Sequence, residues 1–407
     1  MRTFHSWILD AHLHHYMQTV THRLEAAARR LGAGVGNDFY RPTVAEMRHG
    51  VDLYDRRDLE YALRFQDHAT VPHHPAGLVL PVNPAEVHAM WTGLSRAERD
   101  ALHRIYPFIG NHDGIPHVDR DHYNRQTLSM LRDRAAANFD EETAAGYDLI
   151  AARLESPTGH TQRFLSVIEE PYRSVTCLGN PDTARNVITY VVGAGRGPLE
   201  GLEKPEKLRS ATMLIDPDAE TSVIRWSGYM GPPDVVRAVE PIYAEHGAPM
   251  LRRFQEGLRV THEGPPSRNT VIGYSYGAVT TGHAMLGPGL DASQVIFLGS
   301  FGVGAKNVGD LTLIGVDPAD MKHSVLATVA EHDSIQLMPK VHGPMPTSPS
   351  FGDISRFTSD SVRGPLTSLG WNPDNHQSYF DSSNRSLWKM GMIAAGRSDM
   401  AMIDGNI

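Results

Sequence analysis

The stretch that most constrains this chain is Asn269-Thr270-Val271-Ile272, followed at once by Gly273-Tyr274-Ser275-Tyr276-Gly277 and then Ala278-Val279-Thr280-Thr281-Gly282-His283-Ala284. The first run reads as a buried β-strand and the last as a helix, so the chain must turn from one to the other within about a residue. Ser275 then sits in strained backbone geometry at the apex. Glycines two residues to either side leave room for the neighbouring strand and helix. In that setting the Ser275 hydroxyl stands exposed above the sheet, and the helix N-terminus favours developing negative charge.

The surroundings agree with a parallel sheet. From about residue 173, short β-rich runs alternate with helical segments. Strands are predicted at Val175–Leu178, Val187–Val192, Ser222–Trp226, Thr270–Gly273, Gln294–Leu298 and Ser324–Ala330. Helices are predicted near 202–214, 233–262 (broken near Gly247), 277–286 and 383–396. The strand runs are apolar on both faces, as expected where helices cover both sides. The predicted class is α/β, an α/β-hydrolase fold with a mostly parallel sheet. Residues 166–407 are expected to form its catalytic domain.

Residues 1–165 read as a mainly helical N-terminal region that caps the site or mediates association. Leu9, Leu13, Met17, Val20, Leu24 and Ala28 form an amphipathic stripe that Gly32 and Gly34 end. Asn83-Pro84 and Ser95-Arg96-Ala97-Glu98 open two more helices, the second through a capping-box spacing. Further helices are expected over 119–137 and 139–154.

A serine needs a base to become a nucleophile at neutral pH, and that base needs a carboxylate to orient it. In this fold the order along the chain is Ser, acid, His. Asp333 lies at the carboxyl end of a strand-like run, Val325 to Ala330, with Asp317 and Asp353 as competitors. His376 lies in a polar loop before the last predicted helix, with His342 as its rival; His332 is too close to Asp333 to be its partner. An oxyanion needs two backbone N–H donors. Tyr276 is expected to give one, and Ala194 or Gly195, in the loop Gly193-Ala194-Gly195-Arg196-Gly197, the other. That loop lacks the Gly-Lys-Ser/Thr ending of a P-loop. The Tyr274 and Tyr276 side chains are candidates for lining a substrate pocket, and packing explains them equally well.

Composition narrows the function classes. The chain has 407 residues, a net charge of −9 and no dense Lys/Arg stripe, so neither nucleic acid nor an anionic membrane is an expected partner. No run of about 18 apolar residues occurs, so no transmembrane segment is expected. The first residues lack the apolar core of a signal peptide, which makes the cytoplasm the default location, with signal-independent export open. The single cysteine, Cys177, reads as a small core residue. His12, His14 and His15 with Asp10 lack a full ligand set and read as solvated; His73-His74 reads as a loop pair. Neither metal nor cofactor is expected.

Several further motifs carry a resemblance. These are Leu94-Ser95-x-x-Glu98-Arg99, Gly110-Asn111-x-Asp113-Gly114-Ile115-Pro116, Arg120-Asp121-x-x-Asn124-Arg125 and Gly179-Asn180-Pro181-Asp182. They continue with Gly193-x-Gly195, Trp226-x-Gly228-Tyr229, the Ser275 elbow, Leu298-Gly299-Ser300-x-Gly302-Val303-Gly304 and His376-x-x-Tyr379. With them the chain resembles, over roughly residues 80–395, a family of actinobacterial α/β-hydrolases formerly grouped as a domain of unknown function. The resemblance implies the Ser275, Asp333 and His376 assignment. Tyr274 stands where that family commonly has His, and His112 where an apolar residue is usual. The Gly110–Pro116 loop reads either as part of a lid or as an Asx-type turn.

The expected function is hydrolysis of a carboxylic ester, a small-molecule or lipid substrate, through an acyl-enzyme. Acyl transfer or amide hydrolysis on the same residues is the alternative within enzymes. A non-catalytic binding or assembly module that retains the fold is the alternative outside them. Oligomeric state is not legible.

Overall fold

A computed structural model of the chain describes residues 80–155, 161–171, 173–195, 201, 203–364 and 370–403. The amphipathic stripe from Leu9 to Ala28 and the histidines at 12, 14, 15, 73 and 74 lie outside the described residues. Among the described residues four α-helices precede the sheet: α1 (Pro84–Gly93), α2 (Arg96–Ile105), α3 (His117–Ala137) and α4 (Glu141–Leu154). Asn83 caps α1 by accepting from the Ala85 and Glu86 N–H groups, and Ser95 with Glu98 forms the predicted capping box on α2.

An eight-stranded sheet follows among the described residues. Its strands are β1 (Arg163–Glu169), β2 (Arg173–Leu178), β3 (Asn186–Val191), β4 (Thr221–Trp226), β5 (Arg268–Tyr274), β6 (Gln294–Leu298), β7 (Val325–Thr328) and β8 (Ser355–Arg356), in the order β1-β2-β4-β3-β5-β6-β7-β8. β1 and β2 pair antiparallel, as do β2 and β4; every other pair is parallel. This is the predicted α/β-hydrolase fold.

Side-chain alternation along the strands divides the core. Val187, Val191, Val271, Val295 and Phe297 join one cluster with α6 (Ile242–Thr261) and α7 (Tyr276–Met285). Ile188, Tyr190, Ile272, Ile296 and Leu298 join another with α5 (Lys204–Ile215) and α8 (Arg385–Ala394). Helices thus cover both faces, which is why the strand runs are apolar throughout.

Two features differ from the sequence expectation. The helix predicted to break near Gly247 runs unbroken as α6, with Pro249 inside it. Gly247 is a packing residue: a Cβ there would lie 2.6 Å from the Tyr229 ring. The edge strands β1 and β8 are absent from the predicted set. β8 is two residues long, and β1 carries an irregular register between Leu165 and Val167 that blurs its alternation.

The helices α3 and α4 and the 3₁₀ turn Pro107–Asn111 pack against β1, and polar side chains from α3 and from the segment before it finish that edge. The Asn111 side chain donates to Ile168 O and accepts from Ile168 N, each at 2.9 Å. Asp121 accepts from Leu165 N at 2.7 Å, and Asn124 donates to Leu165 O at 3.1 Å. Arg120, almost fully buried, donates to Ser166 O at 2.8 Å and pairs with Asp113. Two of the unusual sequence motifs therefore serve as a substitute ladder partner. They satisfy an open strand edge that would otherwise recruit another chain. β1 lies four strands from β5, roughly 19 Å at the usual inter-strand spacing.

Candidate active site

β5 occupies the middle of the parallel strands, between β3 and β6, and α7 begins one residue beyond it. The turn is as sharp as its sequence requires. Ser275 has φ 55° and ψ −123°, and only Phe139 shares a positive φ among the described non-glycine residues. The Ser275 N–H donates to Leu298 O at 2.9 Å, which anchors the apex to β6. A Cβ on Gly277 would lie 2.3 Å from Val191 O and 2.6 Å from Val192 O; one on Gly273 would lie 2.7 Å from Ala278 Cα. The two glycines let the strand β3 and the helix α7 close on the apex.

His376 lies in a single helical turn, Asp374–Gln377, held over the carboxyl ends of the strands. Its Nε2 is 2.9 Å from Ser275 Oγ, and its Nδ1 is 2.8 Å from Asp333 Oδ2. Asp333 follows β7 and is fully buried; its Oδ1 accepts from Ile335 N at 2.8 Å. The structure thus brings together Ser275, His376 and Asp333, which are 58 and 43 residues apart along the chain in steps from Ser275 to Asp333 and from Asp333 to His376.

The rivals lie elsewhere. His342 is buried with Nε2 2.7 Å from Ala238 O, and burial lowers its pKa. Asp317 caps a short turn by accepting from Ala319 N, and Asp353 is exposed on a loop. Cys177 is buried, 3.1 Å from Ser166 Oγ.

The two tyrosines beside Ser275 are held in the core. Tyr274 lies against His376, ring centroids 5.1 Å apart and nearly parallel, and its hydroxyl donates to His376 O at 2.7 Å. Tyr276 is fully buried; its hydroxyl donates to Glu240 O and accepts from Ala244 N, and burial pushes its pKa far upward. Both side chains are buried, at 2% and 0% exposure, and pack among other core residues.

The glycine-rich loop after β3 approaches the apex. A Cβ on Gly193 would be 3.0 Å from Ser275 Cβ. Gly195 has φ 126° and donates its N–H to Pro232 O at 3.0 Å. One further group belongs to the cluster: Tyr379 donates its hydroxyl to Asp333 Oδ2 at 2.6 Å. Its only trace in the sequence is the three-residue spacing from His376. Among the described residues, no group of three or more His, Cys, Asp or Glu side chains is arranged to hold a metal ion. No described helix is long and apolar enough to cross a membrane.

Comparison with known proteins places this geometry in context. Residues 169–343 match the model of a family described as alpha/beta hydrolase, a span that contains Ser275 and Asp333 and stops short of His376. Two relatives, both uncharacterized proteins of Mycobacterium tuberculosis (strains CDC 1551 / Oshkosh and ATCC 25618 / H37Rv), are 26% identical over 430 residues, covering 91% of this chain. The chain spans 64% of the length of these curated relatives. Among solved structures, a Trichoderma reesei cutinase in complex with a phosphonate inhibitor aligns with a TM-score of 0.29 at 14% identity, over 55% of this chain and 80% of its own. A truncated carbohydrate esterase from gut microbiota gives 0.36 at 10%, over 60% and 100%. An esterase from the archaeon Pyrobaculum calidifontis gives 0.31 at 13%, over 76% and 99%. The sheet order and the family match give the α/β-hydrolase fold, and the match supports a hydrolase.

Proposed function

We propose that the protein is a serine hydrolase that cleaves a carboxylic ester, of a lipid or another acyl compound, through an acyl-enzyme on Ser275. The observation that carries this reading is the unbroken chain of short contacts, Ser275 Oγ to His376 Nε2 at 2.9 Å and His376 Nδ1 to Asp333 Oδ2 at 2.8 Å. With Nδ1–H committed to the carboxylate, Nε2 carries the lone pair and faces the hydroxyl. As Ser275 Oγ attacks the ester carbonyl, Nε2 takes its proton, and buried Asp333 stabilises the resulting imidazolium. The same proton passes to the departing alkoxide. Water, activated by Nε2 in turn, then releases the acid and frees Ser275.

The tetrahedral oxyanion needs donors fixed in advance. Tyr276 is the first residue of α7, and the leading N–H groups of a helix have no partner within it. The second donor in this reading is Ala194, because the Gly195 N–H is directed to Pro232 O. The bare face of Gly193 lets that loop reach Ser275.

A fluorophosphonate probe tests the proposal. Folded wild type is expected to be labelled on Ser275, and Ser275→Ala to lose both labelling and ester hydrolysis, the latter by roughly 10⁴-fold or more. An unlabelled Ser275 in folded protein, with control hydrolases reacting normally, overturns it.

A further inference from the structure

Asp333 has more partners than holding a histidine requires. Its Oδ1 takes the Ile335 N–H at 2.8 Å, and its Oδ2 receives two donors, His376 Nδ1 at 2.8 Å and the Tyr379 hydroxyl at 2.6 Å. The Tyr379 hydroxyl oxygen itself accepts the Ala330 N–H at 3.0 Å, an arrangement that directs its own hydrogen to the carboxylate. Asp333 and Tyr379 are both at 0% exposure, so these hydrogen bonds do not compete with water. The histidine and the tyrosine are three residues apart, on a helical turn and the 3₁₀ turn that continues it, and therefore address the same oxygen from one side. The end of β6 makes room for them. Gly299 has φ 56°, and a Cβ there would lie 2.9 Å from Tyr379 Cε2 and 3.2 Å from both Tyr379 Oη and His376 Cε1.

We infer that Tyr379 is a positioning residue of the reaction, which holds Asp333 as a carboxylate aimed at His376 and shares with the imidazole the charge on Oδ2. The inference rests on the proposed roles of Ser275, Asp333 and His376. A carboxylate buried without enough donors takes up a proton or turns toward another partner. The phenolic hydrogen bond prevents both. It also withdraws electron density from Oδ2, so the imidazolium is stabilised less than a bare carboxylate would stabilise it. Simple packing would require the ring of Tyr379 and not its hydroxyl, and the two roles separate on that atom.

Tyr379→Phe tests the inference, with Ser275→Ala and wild type measured beside it on the ester that wild type cleaves fastest. The phenylalanine variant is expected to lose roughly tenfold in kcat with KM unchanged, the effect of one charge-assisted hydrogen bond. The acid limb of kcat/KM is expected to move to higher pH. The downfield Nδ1–H proton resonance of His376 should move from its wild-type position. Wild-type kcat, KM and acid limb in Tyr379→Phe, with Ser275→Ala inactive, overturn this inference alone. A fully active Ser275→Ala overturns the reading beneath it as well. If Tyr379→Phe fails to fold, 3-fluorotyrosine at position 379 takes its place. That residue keeps the ring and donates more strongly, so the acid limb should move to lower pH, and an unmoved limb overturns the inference.

Discussion

The buried pair of His117 and Asp182 should make stability depend on pH above neutrality. His117 opens α3, Asp182 follows β2, and Thr261 ends α6; the three meet in the core. The Asp182 carboxylate accepts from His117 N at 2.6 Å, from His117 Nδ1 at 2.9 Å and from Thr261 Oγ1 at 2.6 Å. Burial opposes charge on the imidazole, but the attraction and hydrogen bond of Asp182 outweigh it and raise the His117 pKa to about 9. For Asp182, burial raises the pKa, and His117 and Thr261 together bring it below the usual carboxylate range. Moving a histidine from 6.5 to about 9 corresponds to about 3 kcal/mol of stability, at 1.36 kcal/mol per unit. The two shifts describe one interaction, counted once.

Because the folded pKa of His117 is the higher one, this stability is fully present below the unfolded value of 6.5 and is lost as pH rises through about 9. Asp182 sets the acid side: its share is lost only as pH falls through its depressed folded pKa. Asp182→Asn removes the charge and replaces an acceptor with a donor facing other donors. Breaking such a pair from one side costs about 3–5 kcal/mol. The assay is denaturant unfolding of both proteins at pH values from about 6 to 10. Wild type should lose about 3 kcal/mol across that window, while Asp182→Asn starts lower and loses markedly less. Equal slopes for the two proteins, or a flat wild type, refute the argument.

Two further outcomes test the architecture. Gly277→Ala should unseat the elbow, because its methyl group meets two main-chain oxygens of the β3 end that cannot give way. A loss of at least about 2 kcal/mol is expected, together with loss of fluorophosphonate labelling; normal labelling and melting would contradict it. Asn111→Ala should cost about 2–6 kcal/mol by stranding the Ile168 N–H and C=O, at about 1–3 kcal/mol for each group. Its kcat should stay at the wild-type value below the melting transition, since β1 is four strands from β5; a selective fall in kcat would show that the edge communicates with the site.

Much of the half that holds the sheet was legible because its signals are local. A β-branched run, one tight turn and a helix of small residues specify the Ser275 elbow within 16 residues, Asn269 to Ala284. The six predicted strands were found because each is apolar on both faces. Gly247 misled because a glycine that breaks a helix and a glycine that admits an aromatic ring look alike along the chain. Only the Tyr229 ring packed against it distinguishes them. The Gly110–Pro116 loop invited either a lid or a turn; the partners of its Asn111, and of Arg120 and Asp121 after it, are β1 backbone groups some 40 to 57 residues away and are not recoverable from spacing.

By itself, then, the sequence determined the elbow, the order of strands and helices along the chain, and a short roster of acids and histidines in the order Ser, acid, His. Short-range sterics and side-chain periodicity act on neighbouring residues, and they suffice for that much. Which carboxylate and which histidine meet at Ser275 is decided where β5, β7 and the turn after residue 373 converge. The same convergence supplies Tyr379 to Asp333, and the meeting of the loops after β3 and β4 turns the Gly195 N–H toward Pro232. Hydrogen bonds of 2.6–3.0 Å depend on the relative placement of elements far apart in sequence, and only the packed sheet and its helices set that placement.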